Sequence, residues 1–560
     1  MDDLELRRPG ARARPAQPYA FWAAFAALLA LAGVLMLHRL GTAEICSSNE
    51  AIDGVSVQQM VEQREPWFPP QKNATALYTD LTRFRGRCWG TIQEEVPKPP
   101  LFSWSAVALD RAAGFSRVTA FNLRLVSAFY ALAGLIVTML FARSRLGSAG
   151  GLLAGAVLLA SHQYVNQGRF GRVDMTLAFF EGLSLFTFLW WFSQDPGRRA
   201  AERVARWLLV LTMALAVLAK GPLGALLPGL AMGLFLLGAP ARRRRLWTLL
   251  RPVALLFGLA VASSWHLACL VGQRHSFLNQ QIGSENFGRF FGGLGRMPVW
   301  YYVEPILFGS GPLSLVALGA VVAALWPARD AGQSGVGAPA RGSLASEMRF
   351  LAIFWLVTVV FFSLAAYKRN SYLLPLWPAM AVLAAWWTTR VLAPRYGRRA
   401  VVGVAGLCAV LWVFNFFYEP YSAARECGGP SFRRPAEEIN RVVAPNAPLF
   451  TYDITLPEAL RFYLDRDTPA LAAPPGRLPA QAGGAASGYM LTSARLLAAH
   501  PGLLKARPVL TIANGNDPLV LMAIGSGAGP AVGAMPAPPL PSAGGRPGPA
   551  TGGSSASSAR

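Results

Sequence analysis

Asp174, in the stretch GRVDMTLAFF, stands where a hydrophilic turn carrying Arg169 and Arg172 gives way to a long apolar run. A charge at the edge of a membrane helix is costly, so it usually has a partner or a task. Other ionisable residues hold the same kind of position. They are Glu50 and Asp53 in SSNEAIDG, Lys98 in PKPPLFSW, Lys220 in LAKGPLG, and Lys368 with Arg369 in AAYKRNSYLLP. Carboxylates of this kind can orient or deprotonate an acceptor, and the cations can hold a phosphate through charge-assisted bonds. Each also has a plainer role available. Asp174 and Glu50 could cap their own helices, and Lys98 could anchor at a lipid interface. Lys220 is the hardest to dismiss, because it interrupts two apolar runs and needs a counter-charge from protein or ligand.

The elements that must position these residues are membrane helices. The 560 residues are 53% hydrophobic and only 14% charged, against about 25% charged in soluble domains. Apolar stretches long enough to span a bilayer recur along most of the chain. The first, PYAFWAAFAALLALAGVLML, lacks a small-residue cleavage site and reads as an anchor. Further spans are predicted at about 118–142, 147–165, 173–194, 204–219, 221–239, 251–271, 304–326, 349–367, 372–391 and 400–418. That makes a polytopic α-helical membrane protein of about 11–13 transmembrane helices.

The net charge of +23 is distributed in short loops: RRPGARAR, RSR, DPGRRAAERVAR, ARRRRLW and PRYGRR. This is the positive-inside pattern, which sets topology and does not call for nucleic acid. It assigns residues 1–18 to the cytoplasm, residues 19–418 to a transmembrane domain, and residues 39–117 to a first outer (periplasmic) loop. Residues 419–525 mix strand-like and helical runs, predicting a small extracytoplasmic α/β domain. The Gly-, Pro-, Ala- and Ser-rich tail 526–560 is predicted to be disordered.

On this topology Glu50, Asp53, Lys98, Asp174, Lys220, Lys368 and Arg369 all face the outer side. Acids and bases on one surface, beside long apolar walls, suit an amphiphile with a phosphate head. Cys46 and Cys88 share the first outer loop and could close it as a disulfide in an oxidising compartment. The five histidines are scattered, so no spacing calls for a metal; a divalent ion stays open, and no other cofactor is implied.

In order along the chain, SSNEAIDGVSVQQMVEQREPWFPP, KPPLFSWSAVALDRAAGFSRVTAFNLRLVSAFYALAG, GRVDMTLAFF, LAKGPLGALLPGL, FLNQQIGSENFGRFFGG with PVWYY, and YKRNSYLLPLWPAMAVLAA resemble motifs of the GT-C membrane glycosyltransferases. The resemblance is to the group containing aminoarabinose transferase and the protein O-mannosyltransferases, and it covers most of residues 20–420. It implies catalytic roles for Asp174, Glu50 and Asp53, and donor-phosphate binding by Lys98, Lys220, Lys368, Arg369 and Arg172. It further implies that Asn49, Glu285, Arg289 and Tyr302 line the acceptor site or cavity. Asn49 stands where the family has its leading acid, and Ile52 where relatives carry Arg. Pro97 stands where zinc-binding relatives have an acid, so the metal is not carried over.

The implied reaction is transfer of a sugar from a polyprenyl-phosphate donor to a lipid A-like lipid, a protein or a glycan. It would run with inversion at the periplasmic face of a bacterial inner membrane. Rival classes are a flippase for a lipid-linked sugar and a non-enzymatic envelope-assembly protein. A flippase should show internal repeats and charges near the bilayer midplane, whereas the charges singled out above are one-sided.

Overall fold

The computed structural model describes residues 18–62, 98–115, 117–194, 198–277, 287–292, 296–326, 343–427, 431–452, 454, 456–466, 468, 488–499, 507–512 and 518–524. Cys88, Glu285 and the tail 526–560 lie outside them. The chain divides into two compact units. One holds the helices up to Arg433 and takes in Pro457–Asp465; the other includes Arg434–Leu456 and Arg466–Arg560 and carries a sheet.

In the first unit the main helices are α1 (Pro18–Leu37), α2 (Ser48–Glu62), α3 (Leu101–Ala113), α4 (Ala120–Ala160), α5 (His162–Gln167), α6 (Val173–Ser193) and α7 (Arg199–Lys220). They continue with α8 (Leu223–Leu237), α9 (Pro240–Leu249), α10 (Pro252–Phe277), α11 (Leu313–Leu325), α12 (Leu344–Leu364), α13 (Leu376–Trp387) and α14 (Arg398–Cys427). The predicted spans 118–142 and 147–165 both lie in α4, whose two halves fold back on each other, with Gly155 against Met139, at the non-helical Gly147. Its φ of 82° is open to glycine and strained for other residues. The span predicted at 304–326 is a bent pair, Val299–Phe308 and α11, at 117°.

Among the described residues six helices are long and apolar enough to cross a bilayer alone, or seven if the bent pair counts as one. The difference from eleven apolar stretches has physical causes. α4 holds two of the stretches, which meet at Gly147, α7 opens on the charged turn RAAERVAR, and α8 has only 15 residues, short of the ~20 a straight span needs.

α4 is the central support, packed against α1, α6, α13 and α14, while α6 packs chiefly on α7. The arginine-rich turns gather at one end of this bundle. Arg143 lies over the Phe21 and Trp22 rings, Arg145 pairs with Glu347, and Arg245 donates to the Gln194 carbonyl. The acids and lysines singled out from the sequence collect at the other end.

The second unit contains α15 (Arg433–Val442), β1 (Leu449–Thr451), β2 (Gly488–Ser493), β3 (Arg507–Ile512) and β4 (Leu519–Ile524). The sheet order is β1-β2-β4-β3. β1 and β2 run parallel and the other pairs antiparallel. β4 is buried along its whole length, which explains its unbroken apolar run LVLMAI where a one-sided strand would alternate.

Candidate active site

Glu50, Asp53, Val57 and Met60 recur at three- and four-residue spacing on α2, so they share one face of that helix. All four are buried. Asn49 lies one turn before Asp53 and is half-buried. Lys98 is placed by the two prolines that follow it and open α3. Its Nζ donates to Asp53 Oδ1 at 2.8 Å, and Asp53 Oδ2 has no hydrogen-bond partner among the described residues. Burial pushes the Asp53 carboxyl above its ordinary range, the opposing attraction of Lys98 being the smaller effect.

Asp174 sits in the first turn of α6, yet the N-terminus of that helix has no side-chain cap. The Asp174 carboxylate is instead taken by the Lys220 ammonium, so the geometry is that of a charge pair. Lys220 ends α7, and Gly221 then adopts φ 98°, ψ −166°, a conformation that favours glycine. Pro222 opens α8 directly afterwards, and Lys-Gly-Pro is thereby a sharp turn with its lysine at the rim. The two pairs are neighbours: Asp53 and Asp174 feel each other's charge, and Arg172 and Lys98 act on both.

Tyrosines join a second set of cations to this centre. Lys220 Nζ lies 5.0 Å from the centre of the Tyr372 ring, and Arg289 donates to the Tyr372 hydroxyl at 3.2 Å. Arg369 donates to the Tyr367 hydroxyl at 3.0 Å, and the Arg289 guanidinium lies 5.8 Å from the Tyr367 ring. The fully buried Tyr302 donates to the Arg369 carbonyl at 3.3 Å. Tyr367 and Tyr372 were absent from the sequence-based set; the signal available was their place in YKRNSYLLP, on either side of the basic pair.

Two expected site residues are turned elsewhere. Lys368 is buried and donates to the carbonyls of Ala365 and Met297, and burial lowers its pKa. It thus holds the Met297 segment against the turn it belongs to. Glu50 is bound by Arg124, whose Nε and Nη2 donate to its two oxygens at 2.7 and 3.1 Å, while Gly171 N–H donates at 2.8 Å. The remaining Arg124 donors reach the carbonyls of Leu40, Ala43 and Glu44. This geometry makes Glu50 an anchor that ties α2 and α4 to the turn before Asp174. Cys46 is disulfide-bonded, and the pairing with Cys88 falls outside the described residues. Among the described residues no three His, Cys, Asp or Glu side chains are grouped to hold a metal ion.

A family profile described as dolichyl-phosphate-mannose-protein mannosyltransferase matches residues 96–269, the segment carrying Lys98, Asp174 and Lys220. The fold matches the crystal structure of ArnT from Cupriavidus metallidurans bound to undecaprenyl phosphate with a TM-score of 0.69. That match has 18% identity and covers 90% of this chain and 98% of that one. The chain has the fold of that ArnT structure, and part of its sequence is similar to the mannosyltransferase family profile. Among curated relatives, the chain is 26% identical over 365 residues to an uncharacterized protein of Aquifex aeolicus, covering 64% of this chain and 63% of that protein. It is 27% identical over 306 residues to the undecaprenyl phosphate-alpha-4-amino-4-deoxy-L-arabinose arabinosyl transferase 1 of Pseudomonas fluorescens, covering 52% of each. The chain thus spans about half to three fifths of the length of these two relatives.

Asp53 supplies a pH prediction for this site. A carboxyl raised above its ordinary range takes up a proton earlier as pH falls. If Asp53 must be ionised for turnover, activity should decline on acidification already above the ordinary carboxylate range. Asp53→Asn should abolish that limb, and a profile unchanged by Asp53→Asn would remove Asp53 from the reaction.

Proposed function

We propose that this protein is an integral-membrane glycosyltransferase that moves a sugar from a polyprenyl-phosphate donor to a lipid, protein or glycan acceptor. The observation that carries this reading is the convergence of two carboxylate–lysine pairs, Asp53 with Lys98 and Asp174 with Lys220, at one end of an apolar bundle. The acceptor oxygen attacks the anomeric carbon and the bond from that carbon to the phosphate oxygen breaks. The acceptor's proton passes to a carboxylate, Asp174 or Asp53, and the polyprenyl phosphate departs with the bonding electron pair. Lys98, Lys220, Arg289 and Arg369 would hold the negative charge that grows on the phosphate, in a poorly hydrated site where such bonds are strong. Tyr372, touching both Lys220 and Arg289, fixes the spacing of two of these cations. Attack opposite the leaving phosphate inverts the anomeric centre.

On this reading the reaction runs at the periplasmic face of a bacterial inner membrane, and the gathering of arginine turns at the opposite end of the bundle supports that side. Reporter fusions after Arg206, Arg245 and Arg399 should therefore read cytoplasmic, and one after Glu419 external. An external signal at Arg245 would reverse the orientation and the side of the site. The function itself is tested by mass spectrometry of envelope lipids and glycoproteins from a deletion strain. One sugar-bearing species should vanish, return with the intact chain and stay absent with Asp174→Asn. An unchanged inventory, with the protein shown to be expressed in the parent strain, would overturn the assignment.

A further inference from the structure

The short helix α16 (Glu458–Leu464) comes from the C-terminal part of the sequence, yet it belongs to the unit that carries the candidate site. It packs along α2, the helix that bears Asp53. Gln58 Nε2 donates to the Phe462 carbonyl at 3.0 Å, and the Ile45 N–H, three residues before α2, donates to the Tyr463 hydroxyl at 2.7 Å. Just past α16, Arg117 Nη2 donates to Asp465 Oδ2 at 2.5 Å. Arg117 is exposed, and surface pairs of that kind contribute little.

The tightest meeting is at Gly54, the residue next to Asp53. Gly54 and Gln58 are four residues apart and share a face of α2 beside the one that carries Asp53. A side-chain carbon added at Gly54 would lie 2.8 Å from two carbons of the Phe462 ring and 3.1 Å from Leu123 of α4. Glycine is what lets α2 come this close to both neighbours. Phe462 is itself buried, so its ring cannot swing aside as an exposed one could. α2 is therefore gripped between α4 and α16 beside Asp53, while Glu50, three residues earlier, is tied to Arg124. A 15-residue helix is marginal by itself, and such packing is what holds it in place.

We propose that Phe462 is a positioning residue: pressed against Gly54, it sets how closely α2 approaches α4 and so fixes the Asp53 carboxyl beside Lys98. The inference rests on the reading of Asp53 as a carboxylate of the transfer reaction. Asp53 keeps one oxygen on Lys98, and the other is left to meet an acceptor. A displacement of about 1 Å at such a group can cost about 100-fold in rate. The charges that act on this carboxyl come from Lys98, Arg172 and Asp174. Phe462 carries none, so its removal acts on Asp53 through placement and the entry of water.

The test uses the full chain, with every measurement normalised to folded protein. Infrared difference spectra against Asp53→Asn isolate the titration of the Asp53 carboxyl with no donor present. Phe462→Ala opens space beside Gly54, and relieved burial should move that titration to lower pH by about one unit, a fraction of what full burial imposes. Turnover is followed as formation of the sugar-bearing species that a deletion strain lacks, in membranes of that strain carrying each variant. It should fall by about 100-fold, its acidic limb should follow the titration, and binding of undecaprenyl phosphate should be unchanged. Gly54→Ala should also lower turnover, and combining it with Phe462→Ala, where the ring it meets is gone, should recover part of the loss. Should Phe462→Ala not fold, Phe462→Leu replaces it, with smaller shifts in the same directions. Titration and turnover unchanged per folded molecule would make the contact merely structural and overturn the proposal. Parallel loss of undecaprenyl phosphate binding would overturn it too, because the segment would then shape the donor site. So would losses that simply add in the combined variant. If the unaltered chain transfers no sugar, the catalytic reading of Asp53 fails, while the infrared titration still decides whether Phe462 places it.

Discussion

Replacing Asp174 with Asn should leave a folded, membrane-inserted protein whose sugar transfer falls by about 100-fold or more, the usual weight of a general base. Asn caps a helix about as well as Asp, so a capping role would survive the change. The structure already argues against that role, because the Asp174 carboxylate is engaged by Lys220 and no side chain caps α6. Asn keeps the size of the side chain and removes its charge, which isolates the charge as the variable. Lys98→Ala and Lys220→Ala should differ in kind, weakening capture of the donor phosphate as well as turnover. Transfer from a polyprenyl-phosphate-linked sugar, measured beside donor binding, separates the two patterns. Near-normal transfer by Asp174→Asn would leave Asp53 as the catalytic carboxylate.

Arg124→Met should cost on the order of 3–5 kcal/mol, the penalty for leaving one charge of a buried pair without its partner. Stability is commonly about 5–15 kcal/mol, so much of the protein should fail to accumulate folded. The residue holds more than Glu50: all five of its N–H groups are used, three of them on the carbonyls of Leu40, Ala43 and Glu44. Its loss frees the segment leading into α2, and through Glu50 it frees Gly171, three residues before Asp174. Glu50→Gln should be milder, because the amide oxygen can still accept from Arg124 or Gly171. Folded yield and unfolding temperature in detergent read the order directly. A Glu50→Gln protein that folds normally and retains transfer would confirm Glu50 as an anchor. One that folds normally and loses transfer by 100-fold would restore it as a catalytic residue.

The sequence by itself determined the class of molecule, since 53% hydrophobic content in recurring runs has few other uses. It also determined which residues to watch, because Lys98, Asp174 and Lys220 each interrupt an apolar context where an idle charge is costly. Lys-Gly-Pro was legible as a turn, and Gly221 at φ 98° shows why. Tertiary structure alone decided what each charge does. Glu50 and Asp53 lie three residues apart on one helix face, and local pattern cannot tell them apart. One meets Arg124, from a helix that begins 70 residues later, and the other meets Lys98. Lys368 and Arg369 are adjacent, yet one turns into backbone carbonyls and the other onto Tyr367. Tyr372 and Phe462 could not be singled out in advance, because a tyrosine and a phenylalanine beside apolar residues carry no signal until their neighbours are known. Apolar runs and turn residues are local properties written into the chain. The role of a charge depends on its counter-charge, which only the packing of distant helices supplies.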